Sequence, residues 1–487
     1  MFNEKIPSEI IECIKKLENK GFEAFLVGGC VRDLILDKEP KDWDLTTNAT
    51  PEEIMSIFPD HVYENNFGTV GIKTENEDPR LKIVEITPYR LESKYSDKRH
   101  PDQIKFSNKL EDDLQRRDFT INALAYNPDK GQIIDFYKGQ EDIKDKVIRT
   151  VGNPDDRFQE DALRMMRAVR FSAELGFTIN IETMNALITN VHLMNNVSRE
   201  RIKDEFTKII MSDNPMIGLN MAHKLDILNF ISPVFEKMVH VKQNKEAHKY
   251  DVWEHSLRTL QHAADKNYSL EIRLAALFHD IAKPETKRES KGKTTFYGHE
   301  VVGAKVARET LKSLTFSNEI IEKVTKLVRW HMFFSDTEEI TLSAVRRLIM
   351  RVGKENIWDL INLRKCDRIG TGRPKEQPYR LRKFQSMIDE VMRDPISVGM
   401  LKIDGNIMIT ELHMKPGPKI GYILHALLEE VLDDPTKNNL EYQKEKAQEL
   451  DNLDIETLKK MGEKARESKE QAEEREINEI KQKRFVK

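Results

Sequence analysis

Residues 24–48 read AFLVGGCVRDLILDKEPKDWDLTTN. A short apolar run, 24–27, ends in Gly28 and Gly29, and "CVRDLIL" after them fits the start of a helix. Strand, glycine turn and helix start form an arrangement in which backbone N–H groups and the positive end of the helix dipole face an anion. Arg32 falls in the first turn, where a guanidinium clamps a phosphate through two bonds. Ten residues on, Asp42 and Asp44 flank Trp43. If "DWDL" is a strand, both carboxylates point to one face, with Cα atoms about 6.5 Å apart. They then converge on hard cations, which prefer oxygen ligands. Glu85, in KIVEIT at 82–87, is a third carboxylate from a neighbouring strand. Taken singly, a Gly-Gly pair is more often only a turn and a D-x-D a pair of loop acids. Together they suit phosphoryl or nucleotidyl transfer. There one ion activates the attacking oxygen and another neutralises the leaving pyrophosphate, about 3.5–4 Å away.

Outward from this stretch, the composition sets limits. A chain of 487 residues exceeds one hydrophobic core. With 33% charged and 39% hydrophobic residues it reads as soluble and helix-rich. No apolar run approaches the ~20 residues that span a bilayer, and the first twenty residues carry charge throughout, unlike a signal peptide. Cys13, Cys30 and Cys366 form neither a disulfide framework nor a zinc cluster, so a reducing cytoplasm is expected. The net charge of −4 announces no nucleic-acid binder, and any such role falls to local basic patches.

The expected fold class is α+β. A small head at 1–150, a mixed sheet with helices, precedes a helical neck at 151–235, a metal-binding helical domain at 236–375 and a helical tail at 376–487. In the head, 7–21 reads as an amphipathic helix closed by Gly21, while 70–75 and 81–90 read as strands. The neck opens with DDRFQEDALRMMRAVRFSAELGF, expected to be one long helix closed by Gly176. From Thr436 the chain is almost wholly charged or polar, and KKMGEKARESKEQAEEREINEIKQKR at 459–484 is expected to be an exposed helix or a frayed tail.

The quoted stretch resembles the signature of class II tRNA nucleotidyltransferases, the CCA-adding enzymes, and of the related bacterial poly(A) polymerases. Their pattern is G-G-x-V-R-D, a turn, then D-x-D-x-x-T. Gly28, Gly29, Val31, Arg32, Asp33, Asp42, Asp44 and Thr47 match it, and Asp37 stands where a glycine is usual. The resemblance implies that Asp42 and Asp44 bind magnesium and that Gly28, Gly29 and Arg32 hold a triphosphate. LQRRDFTINALAYN resembles the family's ribose-binding motif, with Arg117, Asp118 and Asn122 on the sugar and phosphates. RLESKYSDKRHPDQIKF, with Arg99 and Pro101, resembles its flexible loop. NPDDRFQEDALRMMRAVRF resembles its nucleobase-reading motif. Together these cover about residues 25–171.

A choice of C and A follows from hydrogen bonding. Cytosine and adenine each present an amino donor beside a ring-nitrogen acceptor, which a carboxylate next to a guanidinium complements. Guanine and uracil show the reverse order and leave unpaired polar groups, which discriminates by up to ~10⁴. Asp161 and Arg164, three apart on one expected helix face, supply such a pair, and D-x-x-R is otherwise a common surface ion pair. The family uses these positions for the purpose. Glu160 and Arg167 are supporting candidates.

Further along lie His255, His279, Asp280, His299, His331 and Asp367. His255, His279, Asp280 and Asp367 resemble the H…HD…D pattern of HD-domain phosphohydrolases, and Lys283 fits its usual continuation. Imidazole with carboxylate suits Mn, Ni, Fe, Co or Zn. A metal-bound hydroxide there attacks a phosphate ester. A retained metal scaffold without turnover is the alternative. Basic stretches RRLIMRVGK, LRKCDR and YRLRKF, and the Gly-Pro-Lys-Ile-Gly turn at 417–421, are candidate grips for tRNA.

The expected function is template-independent addition or repair of the tRNA 3′-terminal CCA from CTP and ATP. A poly(A) polymerase, a CC- or A-adding enzyme, or an HD phosphohydrolase with a passive RNA-binding head are the alternatives. Oligomeric state is open.

Overall fold

A computed structural model of the chain describes residues 2–64, 68–92, 104–243, 249–290, 293–333 and 340–459. The chain divides into two compact units, Met1–Glu236 and Lys237–Lys487.

The first unit opens with the helix Ser8–Glu18, which buries Ile10, Cys13, Ile14 and Leu17 along one side. Its sheet, among the described residues, has seven strands in the order β3-β4-β5-β2-β1-β8-β9. These are β1 (Ala24–Val27), β2 (Asp44–Thr47), β3 (His61–Glu64), β4 (Thr69–Lys73), β5 (Ile83–Pro88), β8 (Ala125–Asn127) and β9 (Gln132–Ile134). A separate hairpin pairs β6 (Arg90–Glu92) with β7 (Ile104–Phe106). β1 is buried throughout, which explains its unbroken apolar reading. Phe25 and Val27 join Tyr89, Leu110, Leu114, Ala123, Ala125 and Val151 in one core cluster. β2 lies antiparallel to β1 and parallel to β5. That mixed pairing sets Asp44 directly opposite Glu85.

Two local expectations need correction. The strand β2 begins at Asp44, so Asp42 lies just before it and "DWDL" is only half strand. The neck does not open with one long helix either. One helix runs Pro154–Glu160, and the next runs Leu163–Leu175, closed by Gly176 in the left-handed conformation at φ 69°. Asp161 between them is extended, at φ −144° and ψ 103°. Its carboxylate accepts the Leu163 N–H at 3.1 Å, a local bond that competes with helix continuation.

The second unit is built mainly from helices. Val252–Asp265 packs against Ile357–Gly370 and Leu270–Phe278, and His299–Ser313 packs against Asn318–Trp330. Gly370 sits where its helix meets the first: a Cβ there would lie 2.1 Å from Thr259 Oγ1 and 3.0 Å from the His255 carbonyl oxygen. The expected exposed helix or frayed tail at 459–484 lies, from residue 460 on, outside the described residues. Leu440–Asp451 packs on Pro418–Asp433 and buries Gln443, Ala447 and Leu450, because its polar sequence carries a narrow apolar stripe. Among the described residues, no helix is long and apolar enough to cross a membrane.

Candidate active site and metal centre

In the first unit, Gly28 has φ +83° and its N–H donates to the Leu124 carbonyl at 3.2 Å. That N–H is therefore committed to the Leu124 carbonyl. What the missing side chain provides is room. A Cβ on Gly28 would lie 2.8 Å from Arg117 Nη1 and 3.9 Å from Asp44 Oδ2. Gly28 thus lets the Arg117 guanidinium lie beside Asp44. Gly29 begins the seven-residue helix Gly29–Ile35, and a Cβ there would meet only Arg32 Nη2, at 3.7 Å.

The three expected carboxylates come together. Asp44 is partly buried and Asp42 exposed, and Glu85 is Asp44's neighbour across β2 and β5. Burial pushes the Asp44 carboxyl up to about 6; Arg117 opposes, and Glu85 and Asp42 add to the rise. Three carboxylates crowded where β2 pairs with β5 suit an oxygen-preferring divalent cation, which would relieve their mutual repulsion.

The arginines and the ribose-motif residues form one chain of bonds. Arg32, only 8% exposed, donates from Nε and Nη2 to Asp33 Oδ1 at 2.9 and 2.7 Å and from Nη1 to Asn122 Oδ1 at 2.8 Å. Asn122 Nδ2 donates to Asp118 Oδ1 at 3.1 Å. Arg167 Nε donates to Asp118 Oδ2 at 2.7 Å. Burial disfavours the Asp118 charge, but Arg167 and Asn122 hold its carboxyl well below the ordinary range.

The pair expected to read the base is not a pair in this structure. Asp161 is held by Arg201, Nη1 to Oδ1 at 3.1 Å and Nη2 to Oδ2 at 2.7 Å. Arg164 donates to Glu160 Oε2 at 2.6 Å and to the Arg116 carbonyl at 3.0 Å. Sequence reasoning missed Arg201, which comes from the helix Arg199–Met211 forty positions away. No local signal links it to Asp161. Arg99 lies outside the described residues, as does Pro101.

In the second unit the six expected metal ligands come together, all buried. They fall into two groups, His255, His279 and Asp367, and Asp280, His299 and His331. Asp280 touches both: Oδ2 lies 3.3 Å from His255 and His279 Nε2, and Oδ1 lies 3.3 Å from His299 and 3.8 Å from His331 Nε2. Nδ1 of His279, His299 and His331 lies 2.8, 2.8 and 2.7 Å from the carbonyl three residues back. A proton on each Nδ1 leaves the Nε2 lone pairs aimed inward, as metal ligation requires. His255 and His279 Nε2 stand 3.0 Å apart, and His299 and His331 Nε2 3.3 Å apart. Nitrogens aimed at each other this closely fit a shared cation. Burial opposes charge on His255, yet Asp280 and Asp367 push it up to about 9. Lys283 Nζ sits 2.6 Å from Asp280 Oδ2 and donates to Gln243 Oε1 at 2.7 Å.

A glycine turn beside a carboxylate-lined strand pair, followed by arginine-rich helices, defines a nucleotidyltransferase head, and the histidine cluster an HD fold. The "Poly A polymerase head domain" family matches residues 24–149, the "HD domain" family 252–369, and the "Probable RNA and SrmB- binding site of polymerase A" family 176–238. A CCA-adding enzyme of Limosilactobacillus reuteri is 32% identical over 445 residues, covering 90% of this chain and 95% of that one. Another from Ligilactobacillus salivarius is 42% identical over 246 residues, 50% of this chain and 59% of that one. The Bacillus stearothermophilus CCA-adding enzyme, solved in complex with CTP, superposes with TM-score 0.70 at 25% identity, over 91% of this chain and 98% of that one. The Thermotoga maritima enzyme complexed with tRNA shares the fold, at TM-score 0.54 and 20% identity over 92% and 97% of the two chains. The chain belongs to the CCA-adding enzyme family.

Proposed function

We propose that this chain builds or repairs the 3′-terminal CCA of tRNA from CTP and ATP, without a nucleic-acid template. The observation that carries the reading is the meeting of Asp42, Asp44 and Glu85 where β2 pairs with β5, with Arg117 beside Asp44. These carboxylates would hold magnesium, which supplies activation of the tRNA 3′-OH and neutralises the departing pyrophosphate. Arg117 and Arg32 supply positive charge to the triphosphate, and Gly28 and Gly29 leave room for it. Asp161, held in orientation by Arg201, accepts from the amino group of cytosine or adenine, and Arg164 donates to the ring nitrogen once it leaves Glu160. Cytoplasmic location suits the three buried free cysteines. On this reading the chain divides into head 1–150, neck 151–235, HD domain 236–375 and tail 376–487.

Incubation with tRNA ending at the discriminator base, at -C and at -CC, with CTP and ATP separately and together, tests the reading. Addition that stops at CCA is expected. A long A tail marks a poly(A) polymerase, and a halt after CC or addition of A alone marks a partial enzyme.

The buried imidazole-carboxylate cluster favours a second activity, hydrolysis of phosphate esters at RNA ends, with a transition metal held by the HD ligands. Turnover of a 2′,3′-cyclic nucleotide by wild type and not by His279→Ala/Asp280→Ala is expected. No turnover with any of Mn, Ni, Fe, Co or Zn overturns it.

A further inference from the structure

Phe171, in the helix Leu163–Leu175, is 3% exposed and carries no chemistry of its own. Three guanidinium groups nonetheless gather over its ring, Arg170 at 4.3 Å, Arg32 at 5.2 Å and Arg167 at 5.6 Å from the centroid. Arg32 comes from the helix after the glycine turn, on the phosphate side of the head. Arg167 comes from the helix that begins just after Asp161, in the base-reading stretch. The same two arginines are tied a second time, from Arg32 through Asn122 and Asp118 to Arg167. The contacts thus close a loop, with hydrogen bonds along one side and the Phe171 face along the other. An aromatic face attracts each cation without accepting a directional hydrogen bond. It fixes how far apart two guanidiniums sit and leaves their remaining N–H groups available to a ligand. Phe119 meets the ring edge-on, at 5.7 Å and 87°, and holds its orientation.

We propose that Phe171 is a positioning residue for nucleotidyl transfer: its ring registers Arg32 against Arg167, so that one nucleotide meets the phosphate-side and base-side groups together. The inference rests on the reading of the head given above. Its test uses the full chain with magnesium and tRNA ending at the discriminator base, comparing Phe171→Leu, Phe171→Met and Phe171→Tyr. Each is assayed at a temperature where its thermal melt shows it folded. Loss of the ring in the Leu or Met variant raises KM for CTP and ATP together, by roughly tenfold. It also raises incorporation of UTP and GTP, with kcat changed far less. Phe171→Tyr keeps the π face and the wild-type KM. A residue that merely fills the core would lower the melting temperature and leave KM alone. Unchanged KM in folded Phe171→Leu or Phe171→Met overturns the inference, as does an equal KM rise in Phe171→Tyr. A wild-type protein that adds no C or A instead overturns the reading of the head, and the inference with it.

Discussion

Asp161 and Arg201 meet fork to fork, with paired bonds of 3.1 and 2.7 Å between guanidinium and carboxylate. The geometry orients both carboxylate oxygens at once, more tightly than a single point charge could. Arg201→Ala removes that restraint. The expected result is a fall in kcat/KM for CTP and ATP of roughly 10–100-fold, with Arg201→Lys between it and wild type. Asp161→Ala should lose selectivity for C and A while magnesium affinity is kept. Retained selectivity, assayed with each of the four nucleotides, would show that Asp161 does not read the base.

The proton on Asp44 gives a second handle. Its carboxyl is pushed up to about 6 in the fold by burial, with Arg117 opposing and Glu85 and Asp42 adding. In an unfolded chain it titrates near ~3.9. Its ionised form therefore costs stability, so metal-free protein loses stability as pH rises from about 4 through about 6 and then levels off. Asp44→Asn should stabilise the metal-free protein near neutral pH by about 1–2 kcal/mol and abolish nucleotide addition. At limiting magnesium, wild-type activity should drop as pH falls through about 6, because proton and cation compete for the same oxygens. Thermal melts with and without magnesium, together with a pH–rate profile, check both.

Gly28 holds φ +83° and ψ −132°, a region other residues enter only at a cost of about 1–3 kcal/mol. A methyl group there also lies 2.8 Å from Arg117 Nη1. Gly28→Ala should destabilise the protein and displace Arg117 from Asp44. Activity should fall more than the melting temperature explains. Equal activity at a temperature where both proteins are folded would show that Arg117 has no role beside Asp44.

Gly370 works by the same exclusion in the other unit. Here the obstacle is the His255 carbonyl at 3.0 Å, which cannot swing away as a side-chain end can. Gly370→Ala should part the helices that carry His255 and Asp367, at about 1–3 kcal/mol. Metal bound per chain, measured by elemental analysis, should fall. Unchanged metal content would mean that the two helices are not held at a critical spacing.

Local pattern made much of this legible. The run 24–27, the glycine pair and the alternating KIVEIT each follow from a few neighbouring residues. Asp44 and Glu85 could therefore be placed on adjacent strands before their register was seen. The partner of Asp161 was not legible, because Arg201 is brought to it by helix packing and by no repeat in the chain. The break at Asp161 was also hidden. Its flanks keep helical spacing, and only the side-chain bond to Leu163 ends the first helix. Likewise the six ligands of the second unit could be named in order, but their division into two groups is set by helix packing and not by that order.

That division turns on one side chain. Asp280 gives one oxygen to each group, so the two positions are energetically linked. A cation at either draws charge from the carboxylate that serves the other, while fixing its orientation and sparing the second cation that ordering cost. Linkage requires the two effects to be reciprocal, so each ion changes the affinity of the other by the same factor. The histidine cluster is thus expected to fill in two unequal steps. Asp280→Asn should merge or abolish them, whereas His331→Ala should leave one.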